Sequence, residues 1–187
     1  MSLRRRLPPH CAIVRRGRIG DLAALLSLER TVFTVDVLSR RSLRHFLKSR
    51  HAALMVAEEG GNLVGYALVL YPPRSKLARL YSIAVAPHMS KRGIGSFLLA
   101  AAERGAQRRG RKAMRLEVHE HNTRAIARYE KSGYRLFGRH RDYYDDQADA
   151  LRFEKPLAAP GRGSADRACA VGRIGIDGGQ RGRRGRH

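Results

Sequence analysis

Leu80-Tyr81-Ser82-Ile83-Ala84-Val85-Ala86-Pro87-His88-Met89-Ser90-Lys91-Arg92-Gly93-Ile94-Gly95-Ser96-Phe97-Leu98-Leu99 is the stretch on which the fold turns. Its first residues end an apolar strand, Leu77 to Val85, which Pro87 stops because a proline has no N–H to give a central ladder. After five intervening residues, Gly93-Ile94-Gly95 opens an amphipathic helix to about Arg109, with Ile94, Phe97, Leu98 and Ala101 expected to face a sheet. Glycines at a helix start let a ligand approach the backbone, and the unpaired first-turn N–H groups attract an anion such as a diphosphate. Lys91 and Arg92 add positive charge there. Two other phosphate sites are excluded. The chain has no GxxxxGK[ST] loop, and a Rossmann fingerprint would follow its strand directly, with an acidic residue ~20 positions on.

Outward from this stretch the periodicity alternates between sheet and helix. Cys11–Arg15 reads as a short strand, Asp21 as the cap of a helix to about Val32, and Ser39 as the start of a second helix with Leu43, Phe46 and Leu47 on one face. Ala52–Glu58 and Leu63–Tyr71 flank Gly60-Gly61-Asn62, a hairpin signature. Ala113–His119 is a strand, Asn122–Ser132 a helix closed by a left-handed Gly133, and Tyr134–His140 and Ala148–Glu154 are the last strands. The order β-α-α-β-β-β-α-β-α-β-β predicts one α/β domain over residues 11–157: a mixed central sheet of about six to seven strands flanked by about four helices.

Length and composition agree with one ordinary domain: 187 residues, 43% hydrophobic. No apolar run approaches the ~20 residues that span a bilayer, and the basic start has no apolar region behind it, so neither a membrane segment nor a secretory signal is expected. Cys11 and Cys169 lie near opposite ends, which argues against a disulfide framework or metal site and for a reducing cytoplasm. The net charge is +22, carried by 32 arginines and six lysines. It is readable as attraction for polyanions or as the arginine bias of GC-rich coding. Residues 1–10 form a basic arm. Residues 158–187, rich in Gly and Arg, hold too few large apolar side chains to offset the entropy of ordering, so disorder is expected. The tail has an RGG-like composition without the aromatics that stack on bases. The arm carries +3 and the tail +5, so +14 remains on the body.

The pattern V-x-P-x(5)-G-x-G after Leu-Tyr-Ser-Ile-Ala-Val resembles the acetyl-CoA-binding motif of the GNAT superfamily of N-acetyltransferases. The block Leu116-Glu-Val-His-Glu-His-Asn-Thr-Arg-Ala-Ile-Ala-Arg-Tyr-Glu-Lys-Ser-Gly-Tyr134 resembles that family more closely still. Arg141, Tyr143, Tyr144 and Asp149-Ala-Leu resemble the ends of the bacterial ribosomal-protein alanine N-acetyltransferases. Ser90 and Lys91 depart from the family, which usually has Gln or Arg and then Gly there.

The resemblance implies the GNAT fold and a cofactor site at Ile83, Ala84, Val85, Ser90, Lys91, Arg92, Gly93, Ile94, Gly95, Ser96, Asn122 and Tyr129. It implies acetyl-CoA as co-substrate and no metal. Within it, Ile83 and Val85 pair their backbone with the pantetheine arm, Glu117 is the general base and Tyr129 the general acid. On the residues alone, Glu117 also reads as a structural carboxylate paired with an arginine, and Tyr129 as a core aromatic. His119 and His121 flank the base and read as surface histidines.

Substrate choice is expected from Phe33, Asp36, Tyr143 and Tyr144, with Asp142, Asp145 and Asp146 either completing an acidic rim for an ammonium or simply solvated. The run Phe33-x-x-Asp36-x-Leu-Ser-Arg-Arg-Ser differs from the ribosomal-protein enzymes and looks more like a related GNAT branch sometimes fused to a cysteine-peptidase-like domain. Three functions follow: acetylation of a protein or peptide N-terminal amine, acetylation of a small amine or amino-sugar, or a GNAT-fold module contacting RNA or the ribosome through its basic surface and tail.

Overall fold

The computed structural model describes residues 12–158, Val35 and Asp145 excepted. Its elements follow the expected order: β1 (Ile13–Arg16), α1 (Leu22–Val32), α2 (Arg40–Lys48), β2 (Ala52–Glu59), β3 (Asn62–Leu70), β4 (Leu77–Val85), α3 (Ile94–Arg108), β5 (Ala113–His119), α4 (Thr123–Lys131), β6 (Arg135–His140) and β7 (Ala150–Pro156). The strands form one sheet in the order β1-β2-β3-β4-β5-β7-β6. β4 and β5 are parallel, and every other described pair is antiparallel. Parallel neighbours need a crossover, and α3 supplies it.

Successive residues of a strand point to opposite faces, so Gly65 and Tyr66 on β3 report both sides of the sheet. Tyr66 reaches Glu29 of α1. On the other side, a Cβ added to Gly65 would stand 2.9 Å from the Ala84 carbonyl oxygen and 3.0 Å from Leu98 Cδ1 of α3. The missing side chain is therefore what lets α3 lie close to the sheet beside the strand that carries the site. Gly65→Ala is expected to cost about 1–3 kcal/mol by overpacking and to raise the KM for acetyl-CoA, checked by thermal melting and steady-state kinetics.

Several local expectations hold and several shift. Ser39 caps α2, accepting from Ser42 N–H at 3.1 Å, Asn122 caps α4 through Ala125 N–H at 3.1 Å, and Gly133 ends α4 with φ +87°. Asp21 does not cap α1. Its carboxylate accepts from the Arg18 N–H at 2.7 Å and pairs with Arg15 at 2.8 Å, so it secures a short 3-10 turn (Ile19–Asp21) ahead of the helix. Phe97 does not face the sheet and is 42% exposed. The buried stripe of α3 runs through Gly95, Leu98 and Ala102, and Phe97 falls outside it at 100° per residue. The last strand starts at Ala150 rather than Ala148, because Asp149 is held in the preceding loop by Glu120. The basic arm of residues 1–10, Cys11 at the start of the expected first strand, and the Gly/Arg tail beyond Ala158 lie outside the described residues. Among the described residues no helix is long and apolar enough to cross a membrane.

Candidate active site

β4 and β5 pair only from Leu77↔Ala113 to Leu80↔Leu116. Beyond that point β4 stays on β3 as far as Val85, while β5 stays on β7 as far as His119, so the two strands part. Tyr81 is the extra residue where the β3–β4 register jumps from Leu68↔Ser82 to Val69↔Leu80, a bulge of the kind that bends a strand away from its neighbour. The gap is a cleft of ≈ 1130 Å³, and the β4 edge from Tyr81 to Val85 faces it without a strand partner.

Nearly all the residues expected to hold the cofactor line this cleft. Ile83, Ala84 and Val85 supply the open strand edge; Ser90, Lys91, Gly93, Ile94, Gly95 and Ser96 form the loop and first turn of α3; Asn122 and Tyr129 come from the α4 side. The N–H groups of that first turn have no intrahelical acceptor and point toward the cleft end of the helix axis. Arg92 is the exception. Its guanidinium donates to Glu59 Oε1 at 3.0 Å and to Met89 Sδ at 2.7 Å, which ties the loop to the β2–β3 hairpin instead of presenting charge to the cleft. Arg124 and Arg128 on α4 line the cleft in its place. The Arg128 guanidinium lies over Gly95, within 3.0–3.2 Å of where a Cβ would be, so glycine there makes room for a cation beside the helix start.

Glu117 of β5 is the first residue beyond the point where β4 and β5 cease to pair. Glu117 Oε2 accepts from Arg79 Nε at 2.8 Å and its side chain is 15% exposed. Burial lowers the Arg79 pKa, but the charge and hydrogen bond of Glu117, with Tyr143, raise it more, so the guanidinium stays charged. Tyr129 is buried against Tyr134 and Phe153, with ring centroids 5.8 and 6.5 Å away. Among the described residues none hydrogen-bonds its hydroxyl. Burial pushes its pKa up to about 12, so it keeps its proton at neutral pH.

Phe33 and Asp36 from the α1–α2 connection and Tyr143 and Tyr144 from the β6–β7 loop line the same cleft. Asp142 and Asp146 do not. Asp146 is instead hydrogen-bonded to His119 Nε2 at 3.0 Å and to the Ala148 N–H, and Asp145 lies outside the described residues. Of the acidic rim, Asp36 is thus the described member at the cleft. His119 lines the cleft as well, but its ring packs at a tilt against Tyr144, centroids 4.7 Å apart, and its Nε2 is turned to Asp146.

Residues 22–134 match the Acetyltransferase (GNAT) family. The chain belongs to the GNAT acetyltransferase family. It is 31% identical over 132 residues to the uncharacterized N-acetyltransferase YhfO of Bacillus subtilis, covering 65% of this chain and 88% of that protein. It is 30% identical over 155 residues to an N-alpha-acetyltransferase of Sulfurisphaera tokodaii, covering 77% and 92%. The crystal structure of the ribosomal-protein-S18-alanine N-acetyltransferase from Escherichia coli superposes with TM-score 0.72 at 24% identity, covering 81% of this chain and 97% of that one, which establishes the shared fold.

As a GNAT enzyme this protein transfers acetyl groups from acetyl-CoA. The acetyltransferase also contains features that its sequence did not announce. Arg79, Arg124 and Arg128 are three among 32 arginines, and nothing in composition sets them apart. Glu29 reads in the sequence as a polar residue of an amphipathic helix, yet it is 1% exposed and lines the floor of the cleft. At Lys91 the backbone conformation is one that suits the glycine usual in the family. The lysine adopts φ +66°, a left-handed conformation that costs a non-glycine residue about 1 kcal/mol. Lys91→Gly is therefore expected to raise the melting temperature of the acetyltransferase by a few degrees, roughly 2–4 °C per kcal/mol, while weakening acetyl-CoA binding through the lost charge. Calorimetry and a binding titration check the two halves separately.

Proposed function

We propose that this acetyltransferase acylates the N-terminal α-amine of a protein or peptide by direct attack on acetyl-CoA, with Glu117 as general base and Tyr129 as general acid. One observation carries the reading. Glu117 and Tyr129 both line the cleft that opens where β4 and β5 part, together with the open edge of β4 and with Phe33, Asp36, Tyr143 and Tyr144. Two relatives support the acceptor class by name: the N-alpha-acetyltransferase of S. tokodaii, and a putative bS18-alanine N-acetyltransferase of B. subtilis, 27% identical over 141 residues.

The residues of the cleft suit acetyl-CoA. Ile83 and Val85 offer backbone groups to an amide-bearing arm, and Ser90, Lys91, Gly93, Ile94, Gly95 and Ser96 with Arg128 form a cationic cradle for its diphosphate. Acetyl-CoA supplies an acetyl group activated as a thioester. Asn122 lies beside this arm, its side-chain oxygen spent on the α4 cap and its NH₂ left to donate. Asp36 and Glu117 attract the incoming ammonium, and Glu117 takes a proton to free the nucleophile. A backbone N–H near Val85 polarises the carbonyl. Tyr129, protonated at neutral pH, gives its proton to the departing sulfur.

Thiol release from acetyl-CoA, measured with a peptide bearing a free N-terminal alanine, its N-blocked analogue, spermidine and an amino-sugar, tests the acceptor. Turnover of the free peptide alone supports the proposal. Faster turnover of spermidine or the amino-sugar replaces it with a small-amine reading. RNA binding with a steep salt dependence and no amine turnover would point instead to a binding module.

A further inference from the structure

Three polar side chains under the cleft belong to none of the roles above. Glu29 of α1 is 1% exposed. Its Oε1 accepts from the Leu38 N–H at 3.0 Å and its Oε2 from the Tyr66 hydroxyl at 2.5 Å. The Tyr66 oxygen lies 2.7 Å from Ser82 Oγ, and Ser82 is half-buried on the open edge of β4, lining the cleft. Tyr66 is itself fully buried. The chain of bonds therefore runs from the open edge of β4 along the α1 side of the sheet to a buried carboxylate at the floor of the cleft.

The direction of this chain is fixed by counting protons. A carboxylate only accepts, so Tyr66 spends its one proton on Glu29. The bond between Tyr66 and Ser82 must then be donated by Ser82. That leaves the Ser82 oxygen with lone pairs free to accept from whatever occupies the cleft. Every link points inward, from cleft to Glu29, which is the polarity needed to carry a proton in that direction.

The reaction has a proton to send along it. An ammonium nitrogen loses two protons in becoming an amide, while the thiolate sulfur takes up only one. Glu117 can hold one of the two, and a proton placed there leaves Arg79 without its counter-charge. Among the described residues no cation pairs with Glu29, and burial raises its pKa, so a proton is better held there than on an ordinary carboxylate.

We propose that Ser82, Tyr66 and Glu29 form a proton relay that draws one of the two amine protons away from the reacting nitrogen to the buried carboxylate at the floor of the cleft. In this step the substrate N–H bond breaks as its proton passes to Ser82 Oγ. The Ser82 proton moves to the Tyr66 oxygen, and the Tyr66 proton moves to Glu29 Oε2, leaving both hydroxyls neutral. The relay runs backward when product leaves, and the proton returns through Ser82 to water. The other amine proton, taken by Glu117, restores the one that Tyr129 gives to sulfur, so the cycle closes with one proton released. The relay rests on the reading that an amine loses its protons in this cleft.

The test uses the full chain with acetyl-CoA and two amines side by side, the N-terminal alanine peptide and spermidine. Ser82→Ala cuts the outer link and leaves the Tyr66–Glu29–Leu38 bonds intact; Ser82→Thr keeps the hydroxyl. Tyr66→Phe cuts the middle link, and Glu29→Gln keeps a carbonyl for the Leu38 N–H but cannot take the proton. Ser82→Ala, Tyr66→Phe and Glu29→Gln are expected to lower kcat by roughly 10²-fold. All three should leave the KM for acetyl-CoA in place and shrink the solvent deuterium effect on kcat. Ser82→Thr restores most of the rate. Ser82→Ala melting like the wild type shows that the loss is not one of folding. Wild-type kcat in Ser82→Ala, or losses confined to KM and melting temperature in Tyr66→Phe and Glu29→Gln, would overturn the relay in favour of a structural clamp. Wild-type turnover of either amine keeps the amine reading standing however the variants behave, and a wild type inert to both overturns the two together.

Discussion

Tyr129→Phe lowers kcat by roughly 10²-fold while leaving acetyl-CoA binding and the melting temperature close to those of the wild type. The expectation follows from how the side chain is divided. Its ring is held by Tyr134 and Phe153, contacts that phenylalanine reproduces. Its hydroxyl supports nothing among the described residues, so removing it leaves no orphaned partner behind. What is lost is a proton donor facing the cleft. Burial places its pKa at about 12, so no falling limb from this group enters the rate–pH profile in the physiological range. Steady-state kinetics with a parallel binding titration separate the two effects, and unchanged turnover would remove Tyr129 from the mechanism.

Glu117→Gln has an effect of similar size, with a pH signature of its own. The amide oxygen of glutamine can still accept from Arg79 Nε, so the local structure is kept and only the base is lost. Turnover of an N-terminal peptide is expected to fall by roughly 10²-fold at neutral pH. The deficit closes as pH rises through the α-amine pKa of about 8, because the substrate then arrives neutral. With spermidine the deficit persists until pH approaches about 10, where alkyl ammonium groups lose their protons. Equal deficits for both amines at every pH would mean that Glu117 only holds Arg79 in place. The same profile separates acceptor classes, since it reads out the pKa of the nitrogen that reacts.

These expectations rest on parts of the molecule that were legible to different degrees. The element order could be read because helices and strands announce themselves locally. Leu22, Leu25 and Leu28 recur at helical spacing, Gly60-Gly61 turns a hairpin, and Ser39 and Asn122 cap helices through their own neighbours. The Gly93-x-Gly95 and Asn122–Tyr129 segments could be placed at one site only through the resemblance to the GNAT family; in the structure both line one cleft, each just past the end of a strand. Long-range pairing was not legible. Arg92 beside Gly93 reads as a phosphate ligand, but its partner is Glu59 on a hairpin that precedes it by some thirty residues. Arg79 finds Glu117 across the one parallel strand pair described, and Arg128 covers Gly95 from another helix. In a chain with 38 basic residues, charge alone does not tell which of them meets a carboxylate and which meets the cleft. Glu29 was hidden for a related reason. Its burial depends on Tyr66 and the Leu38 N–H arriving from distant positions to satisfy it.

The most direct test of the whole account is the product itself. The purified chain is incubated with acetyl-CoA and a peptide that has both a free N-terminal alanine and an internal lysine, and the acetylated nitrogen is located by tandem mass spectrometry. One acetyl group is expected on the α-amine in the wild type, and strongly reduced product in Tyr129→Phe and Glu117→Gln. Acetylation at the lysine alone, or equal product from wild type and both variants, would contradict the account.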